Sequence, residues 1–275
     1  MSSKAFSVPK AELITIDRPG LRGVVFDSLI LAKRSLMRVP RQPEWLFGAT
    51  VQPIMFLLLF RYIFGGALII AGGSQVNYII VGVIVQGVVF GSFSTSIGLA
   101  TDVKEGLVDR FRSLPMSRIS VLLGRILADM ALNIFVTTFT FAIALLIGFR
   151  PNGNIGEWLL SIGMILLLSF ALAWIGAFIG LALKSIEAVN TIGFVWVFPV
   201  TFASTTFTEA ATMPGWLQPW VKHQPFSLAV NSVRGWLTGY PNVGNDGWIA
   251  AAWLVLVCLI FAPLAVWAYE KRAAH

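Results

Sequence analysis

The chain has 275 residues, of which 57% are hydrophobic and only 12% charged. A soluble domain carries about 25% charged residues, so this composition excludes an ordinary water-soluble fold and fits a polytopic membrane protein. The net charge of +7 then belongs to the membrane surface, where cations face an anionic leaflet and set orientation, and not to nucleic-acid binding.

Residues 1–20 are polar, with Pro9 and Pro19 as breakers, and are read as a flexible cytoplasmic N-terminus. The first 44 residues hold eight Lys/Arg and no long apolar core, so they do not form a secretory signal peptide. Within 21–44, Val24, Val25, Leu29, Leu31, Leu36 and Met37 alternate with Arg22, Lys33, Arg34 and Arg38. That mixture predicts an amphipathic helix lying in the membrane interface with its cations among headgroups; Pro40 and Pro43 end it.

The first span is expected at about 45–66, anchored by Trp45. Arg61 falls about 24 Å along it, at roughly 1.5 Å per residue, near the far boundary of a hydrocarbon layer about 30 Å thick, where it can snorkel. Gly65–Gly73 reads as an uncharged turn. The second span, about 77–101, is rich in small residues, among them Gly82, Gly87, Gly91, Ser92 and Ser96, which let helices approach closely. Gln86 is its mid-membrane amide.

Asp102–Arg118, DVKEGLVDRFRSLPMSR, is a charged island. Tyr62–Thr101 before it contains no charged side chain, nor does Met130–Phe149 after it. The pattern predicts a short surface helix over 102–116. Asp102 caps it, Glu105 completes a capping box, and Val103, Leu107, Phe111 and Leu114 share one face. Pro115 stops it.

The third span is expected at about 119–148, with Arg125 and Asp129 as a local i,i+4 ion pair at its charged end. The fourth is expected at about 158–183 and the fifth at 188–208, with a kink at Pro199; Lys184–Glu187 is a tight turn between them. Residues 209–247 are too patterned for a plain loop. Pro214, Trp216, Trp220, Pro225, Phe226, Val230, Val233, Trp236 and Leu237 predict two short helices, the second opening at Pro225. Their tryptophans suit a membrane–water boundary. The sixth span is about 248–269.

Placing the N-terminus inside puts sixteen of the twenty Lys/Arg in inner segments and only Arg150, Lys222 and Arg234 in outer ones, with Arg61 inside a span. That asymmetry predicts both termini in the cytoplasm.

The strings EGLVDRFRSLPMSR and PGWLQPW…HQPF…NSVRG resemble ABC-2 type transporter permeases, most closely the daunorubicin/doxorubicin-resistance branch. The resemblance implies an all-α, six-helix, type V-like exporter permease fold. It makes 21–44 an interfacial elbow helix, 102–116 a coupling helix docking on a separate ATPase subunit, and 209–247 outer re-entrant helices. Carried over residue by residue, the docking match covers Glu105, Gly106, Arg110, Leu114, Pro115 and Arg118, and the elbow would add Arg34 and Arg38. The family's cavity lies between two permease subunits, lined partly by the second and fifth spans; Gln86, Phe90, Phe93, Asn190, Phe194 and Phe198 are the matching candidates here. The implied partners are two copies of an ABC ATPase subunit, which would bind ATP and Mg²⁺, a second permease subunit (the same or related), and membrane lipids. The implied location is the bacterial plasma membrane, and the implied cargo an amphipathic drug or lipid-like molecule. A glycan or cell-envelope lipid remains an alternative cargo.

The chemistry missing from the sequence agrees. It contains no Gly-Lys pair and hence no phosphate-binding loop of the G-x-x-x-x-G-K-[ST] type, so no cofactor is expected in this chain. His223 and His275 have no metal or triad partners at suitable spacing, and Cys258 is the single cysteine. An ion-coupled secondary transporter would keep carboxylates near the midplane, whereas Arg61 and Asp129 both fall near span ends. A membrane enzyme would need a catalytic constellation that cannot be assembled from these residues.

Overall fold

The computed structural model describes residues 20–37, 43–64, 74–107 and 117–272. Among them every regular element is helical. In chain order these are α1 (Leu21–Leu36), α2 (Pro43–Leu58) continued by a π-helical turn (Leu59–Ile63), α3 (Gln75–Lys104), α4 (Arg118–Leu146), α5 (Ile155–Ala182) and α6 (Ile186–Phe202). A 3-10 turn (Ala210–Thr212) leads to α7 (Gln218–His223), α8 (Pro225–Thr238) and α9 (Asp246–Arg272). Four of them, α3, α4, α5 and α9, are long and apolar enough to cross a membrane, and Phe47–Ile63 and Ile186–Phe202 are shorter apolar helices.

The hub is α3, which packs against α2, α4, α5, α6 and α8. Its continuous run Tyr78–Gln86 is buried on all sides, as expected of a helix apolar all round. Small residues set its closest approach. A Cβ at Gly176 of α5 would meet the Ser92 carbonyl of α3 at 2.9 Å, and one at Gly180 would collide with the Ser96 carbonyl. This small-xxx-small face lets the two backbones touch. Asn154 and Glu157 cap α5 reciprocally, Glu157 N–H donating to Asn154 Oδ1 at 3.0 Å and Asn154 N–H to Glu157 Oε2 at 2.7 Å.

Helix α1 lies along α4, burying Ser28, Leu31 and Ala32 while leaving Val25, Phe26, Leu29 and Ile30 at least half exposed. Large apolar side chains left outside a packed face are what lipid would cover.

Two elements differ from the sequence expectation. The helix expected to begin at Asp102 does not start there, because α3 continues through it to Lys104. Asp102 is no cap; its carboxylate accepts from Arg125 Nη1 at 3.0 Å. Glu105 ends α3, and Gly106 follows in the left-handed region at φ +69°, a helix stop that favours glycine. A tertiary ion pair and a glycine stop therefore outweigh the local D-x-x-E signal. The remainder of the expected coupling helix, 108–116, lies outside the described residues. The other difference is at the fifth span. Helix α6 stops at Phe202 instead of 208, three residues after Pro199, and Ala203–Thr208 runs as irregular, mostly buried chain.

Candidate functional site

A cavity of about 530 Å³ opens between α2, α3, α4 and α6. Helix α2 contributes Gln52, Pro53 and Phe56. Pro53, in mid-helix, removes a backbone donor, and six residues later the chain relaxes into the π-helical turn, where Phe64 N–H donates to Leu59 O at 3.1 Å. Helix α3 contributes Phe90, Phe93 and Ser94, α4 contributes Asp129 and Asn133, and α6 contributes Asn190, Phe194 and Phe198. Of the six residues picked from sequence, Phe90, Phe93, Asn190, Phe194 and Phe198 line this one space. Gln86 does not. It is 2% exposed and packed inside the bundle, with no hydrogen-bond partner for its amide nitrogen among the described residues.

The aromatic wall continues beyond the cavity. Phe90 meets Phe198 edge-on at 6.1 Å, Phe198 stacks on Phe202 at 5.4 Å, and Phe202 lies 5.4 Å from Phe207. Phe207 stacks on Phe60 at 4.1 Å, Phe60 on Phe56 at 6.1 Å, and Phe56 returns to Phe90 at 6.4 Å. Six phenylalanines from α2, the π-turn, α3, α6 and the chain after α6 thus close a ring. Five of the six contacts lie within the roughly 4.5–7 Å at which aromatic pairs attract, and the Phe207–Phe60 stack is closer still.

At the other end of the cavity sits a charged cluster. Arg125 bridges two carboxylates, with Nη1 3.0 Å from Asp102 Oδ2 and Nε 3.1 Å from Asp129 Oδ2. The local pair expected from spacing is present, and Asp102 extends it into a tie between α3 and α4. One turn deeper, Asn133 Nδ2 donates to Ser169 Oγ at 3.1 Å and links α4 to α5. Close by are the residues picked for ATPase docking. Glu105 is exposed at the end of α3 and Gly106 half-buried. Arg118, exposed at the start of α4, pairs with Glu270 near the end of α9. Arg34 is exposed on the last turn of α1. Arg38, Arg110, Leu114 and Pro115 lie outside the described residues.

Comparison with known proteins decides the family. Residues 28–238 match the ABC-2 type transporter family.

The chain belongs to the ABC-2 transporter family.

It is 30% identical over 259 residues to the daunorubicin resistance ABC transporter permease protein of Streptomyces coeruleorubidus, covering 94% of this chain and 91% of that one. It is 29% identical to the probable doxorubicin resistance ABC transporter permease protein of Mycobacterium tuberculosis, covering 91% of both. A putative transport permease of Pyropia yezoensis is 24% identical over 210 residues, 74% of this chain and 71% of its own. With its family and its apolar helices, the chain is a multi-pass membrane protein.

This ABC-2 chain also contains an arrangement that sequence reasoning missed. Arg234 of α8, counted above as a cation of an outer segment, is 0% exposed. Its Nε donates to Tyr78 O at 3.1 Å, its Nη2 to Thr205 O and Thr206 O at 3.0 Å each, and its Nη1 to Asn231 Oδ1 at 2.8 Å. The guanidinium lies 3.5 Å from the centre of the Tyr78 ring, and the Tyr78 hydroxyl donates to Thr205 O at 3.0 Å. Burial pushes the Arg234 guanidinium down to about 10, which leaves it charged at neutral pH. The carbonyls that α6 would have paired by continuing as helix are thus satisfied by α3 and α8. Buried irregular backbone is tolerated where its polar groups are satisfied in this way. The usable signal was the NSVRG string, whose Asn231 and Arg234 stand three apart on one helix face.

Proposed function

We propose that the chain is the membrane-spanning permease subunit of an ATP-driven exporter that moves an amphipathic drug or lipid-like molecule out of the cytoplasm or inner leaflet. The observation that carries this reading is the cavity between α2, α3, α4 and α6. Its walls are aromatic and its few polar groups are amides, a hydroxyl and one carboxylate, a lining suited to an amphipathic ligand. Its 530 Å³ falls within the roughly 300–1,000 Å³ of small-molecule sites. The relatives named for daunorubicin and doxorubicin resistance support a drug-like cargo.

In this reading α2 and α6 cross the bilayer with the four longer helices, giving six spans at about 45–66, 77–101, 119–148, 158–183, 188–202 and 248–269, with α7 and α8 on the outer side. The ends that carry Lys104, Arg118, Lys184 and Lys271 face the cytoplasm. The positive-inside asymmetry supports that orientation. The segment after Gly106, with Glu105, Arg110, Leu114, Pro115 and Arg118, docks on an ABC ATPase subunit. Residues 21–44 form the elbow, with Arg34 and Arg38 as a second contact. Two ATPase copies, which bind the ATP and Mg²⁺, drive two permease subunits between inward- and outward-open cavities in a bacterial plasma membrane.

Substrate efflux from proteoliposomes containing the permease and its ATPase subunit tests both halves. F194A combined with F198A removes two aromatic faces of the cavity, and cargo affinity should fall about tenfold, at roughly 0.5–1.5 kcal/mol per aromatic contact; unchanged affinity overturns the assignment. E105A should leave the permease folded and ATP hydrolysis running while transport falls severalfold; normal transport removes Glu105 from the docking surface.

A further inference from the structure

At the charged end of the bundle, away from the cavity, α3, α5, α6 and α9 enclose a second pocket of about 210 Å³. Its floor is apolar or small, formed by Ala100, Val103 and Gly180, and its rim carries Lys104, Lys184, Arg272 and the opposing Glu187. Three cations against one carboxylate leave it net positive. The three come from three different elements: the last residue of α3, the turn between α5 and α6, and the last residue of α9. Arg272 is held in place: its Nε donates to Leu181 O at 2.9 Å and its Nη2 to Leu183 O. A guanidinium has five N–H donors, so further donors remain after those two bonds. The ammonium groups of Lys104 and Lys184 stand on exposed residues and can swing toward a ligand.

We propose that this pocket binds a phosphate group of the kind an anionic lipid headgroup carries. Three converging cations match the charge and oxygen geometry of phosphate. The volume lies below the roughly 300 Å³ at which drug-sized sites begin, so it suits a headgroup and not a cargo molecule. An apolar floor beside charged rims at the ends of spanning helices is what a lipid at the headgroup boundary meets. Basic pockets between helices at a cytoplasmic surface bind such headgroups. The proposal rests on the reading that these helix ends face the cytoplasmic leaflet. The site couples lipid composition to the mutual placement of α3 and α6, which also wall the cavity.

Binding of phosphatidylglycerol and phosphatidylcholine to the full chain in detergent, followed by native mass spectrometry and by thermal unfolding, tests the site. Detergent has no sidedness, so a negative result speaks against the site itself, whereas the orientation is read separately by cysteine labelling. Phosphatidylglycerol should be retained and raise Tm, while phosphatidylcholine does neither. K104Q combined with K184Q should weaken phosphatidylglycerol binding about tenfold, and K104R combined with K184R should restore it. E187Q, which removes the opposing carboxylate, should tighten binding severalfold, a gain that misfolding cannot imitate. Inorganic phosphate at millimolar concentration provides the second arm. If it displaces the lipid, the site takes phosphate from solution as well; if it does not, the lipid is the source. Equal retention of the two lipids, or unchanged affinity in K104Q/K184Q and E187Q, overturns the proposal. So does loss of ATPase co-purification in K104Q/K184Q with lipid binding intact.

Discussion

Arg234 carries more structural consequence than any other single side chain described. Its guanidinium is fully buried, yet it satisfies three main-chain carbonyls and one amide oxygen from three parts of the chain. Removing it takes away the donor to Thr206 O in a buried interior, at a cost of about 1–3 kcal/mol, whereas Thr205 O keeps the Tyr78 hydroxyl, Asn231 Oδ1 keeps the Thr205 hydroxyl, and Tyr78 O stays within helix α3. R234M should therefore lower stability by about 1–3 kcal/mol, visible as a lower Tm in detergent. R234K should fail to rescue it, because an ammonium cannot span the same fork of acceptors. A Tm within a degree of wild type would show that the carbonyls find other donors. Sequence reading did not reach this residue's role, because the Asn231–Arg234 spacing marks a shared face without saying what that face meets. A lone arginine between tryptophan-rich segments looks the same whether it faces water or holds carbonyls from positions 78, 205 and 206. The cavity residues were more legible. Phe90 and Phe93, and Asn190, Phe194 and Phe198, recur at three- and four-residue spacing and so must share helix faces. Gln86, four residues before Phe90, follows the same spacing, but it ends the stretch of α3 that is buried on all sides and so stays out of the lining.

At the scale of elements, the contact between α3 and α5 holds the bundle's centre. Its closeness depends on Gly176 and Gly180 facing Ser92 and Ser96. G180L places a branched side chain against the Ser96 main chain, where neither helix can yield locally. The expected result is loss of monodisperse protein on size-exclusion chromatography. G176A, whose added methyl meets the Ser92 carbonyl at 2.9 Å, should cost less, about 1–3 kcal/mol as in overpacked cores. A well-behaved G180L protein would mean that the helices slide apart freely. Long apolar runs announced α3, α4, α5 and α9 because composition alone makes a spanning helix stable in lipid. Helix ends were less legible, since they are settled by tertiary partners. Asp102 was drawn into a helix by Arg125, Gly106 supplied the stop, and α6 gave up its last turn because α3 and α8 could hold the freed backbone.

For the whole molecule, charge is sorted to the two ends of an apolar body. One end holds Asp102, Arg125, Arg118, Glu270 and Arg272 in cross-helix contacts; the other holds Arg234, Glu209 and Tyr240, whose hydroxyl donates to Glu209 Oε1 at 2.7 Å. The proposed sidedness rests on the cation count and is directly testable. In a C258A background, K184C should react with membrane-impermeant maleimide only from the cytoplasmic face, and K222C only from outside. The reverse pattern would invert the orientation and move the proposed docking segment to the wrong compartment. Family membership was legible because the EGL…SLP string is read as local chemistry. The cavity volume and the second pocket were not legible, since both depend on how four helices lean together.

The six-phenylalanine ring has a mechanical corollary. Phe198, Phe202 and Phe207 belong to α6 and the chain just after it, whereas Phe56, Phe60 and Phe90 belong to α2, its π-turn and α3. If α6 tilts away as a unit, two links of the ring part, Phe90 to Phe198 and Phe60 to Phe207, along with the Phe93–Phe194 contact outside it, and the other four ring links travel intact. At about 0.5–1.5 kcal/mol per link, parting the two ring links costs about 1–3 kcal/mol, the size of an ordinary coupling energy between distant sites. A seam of that strength stays shut at rest and yields to a modest push.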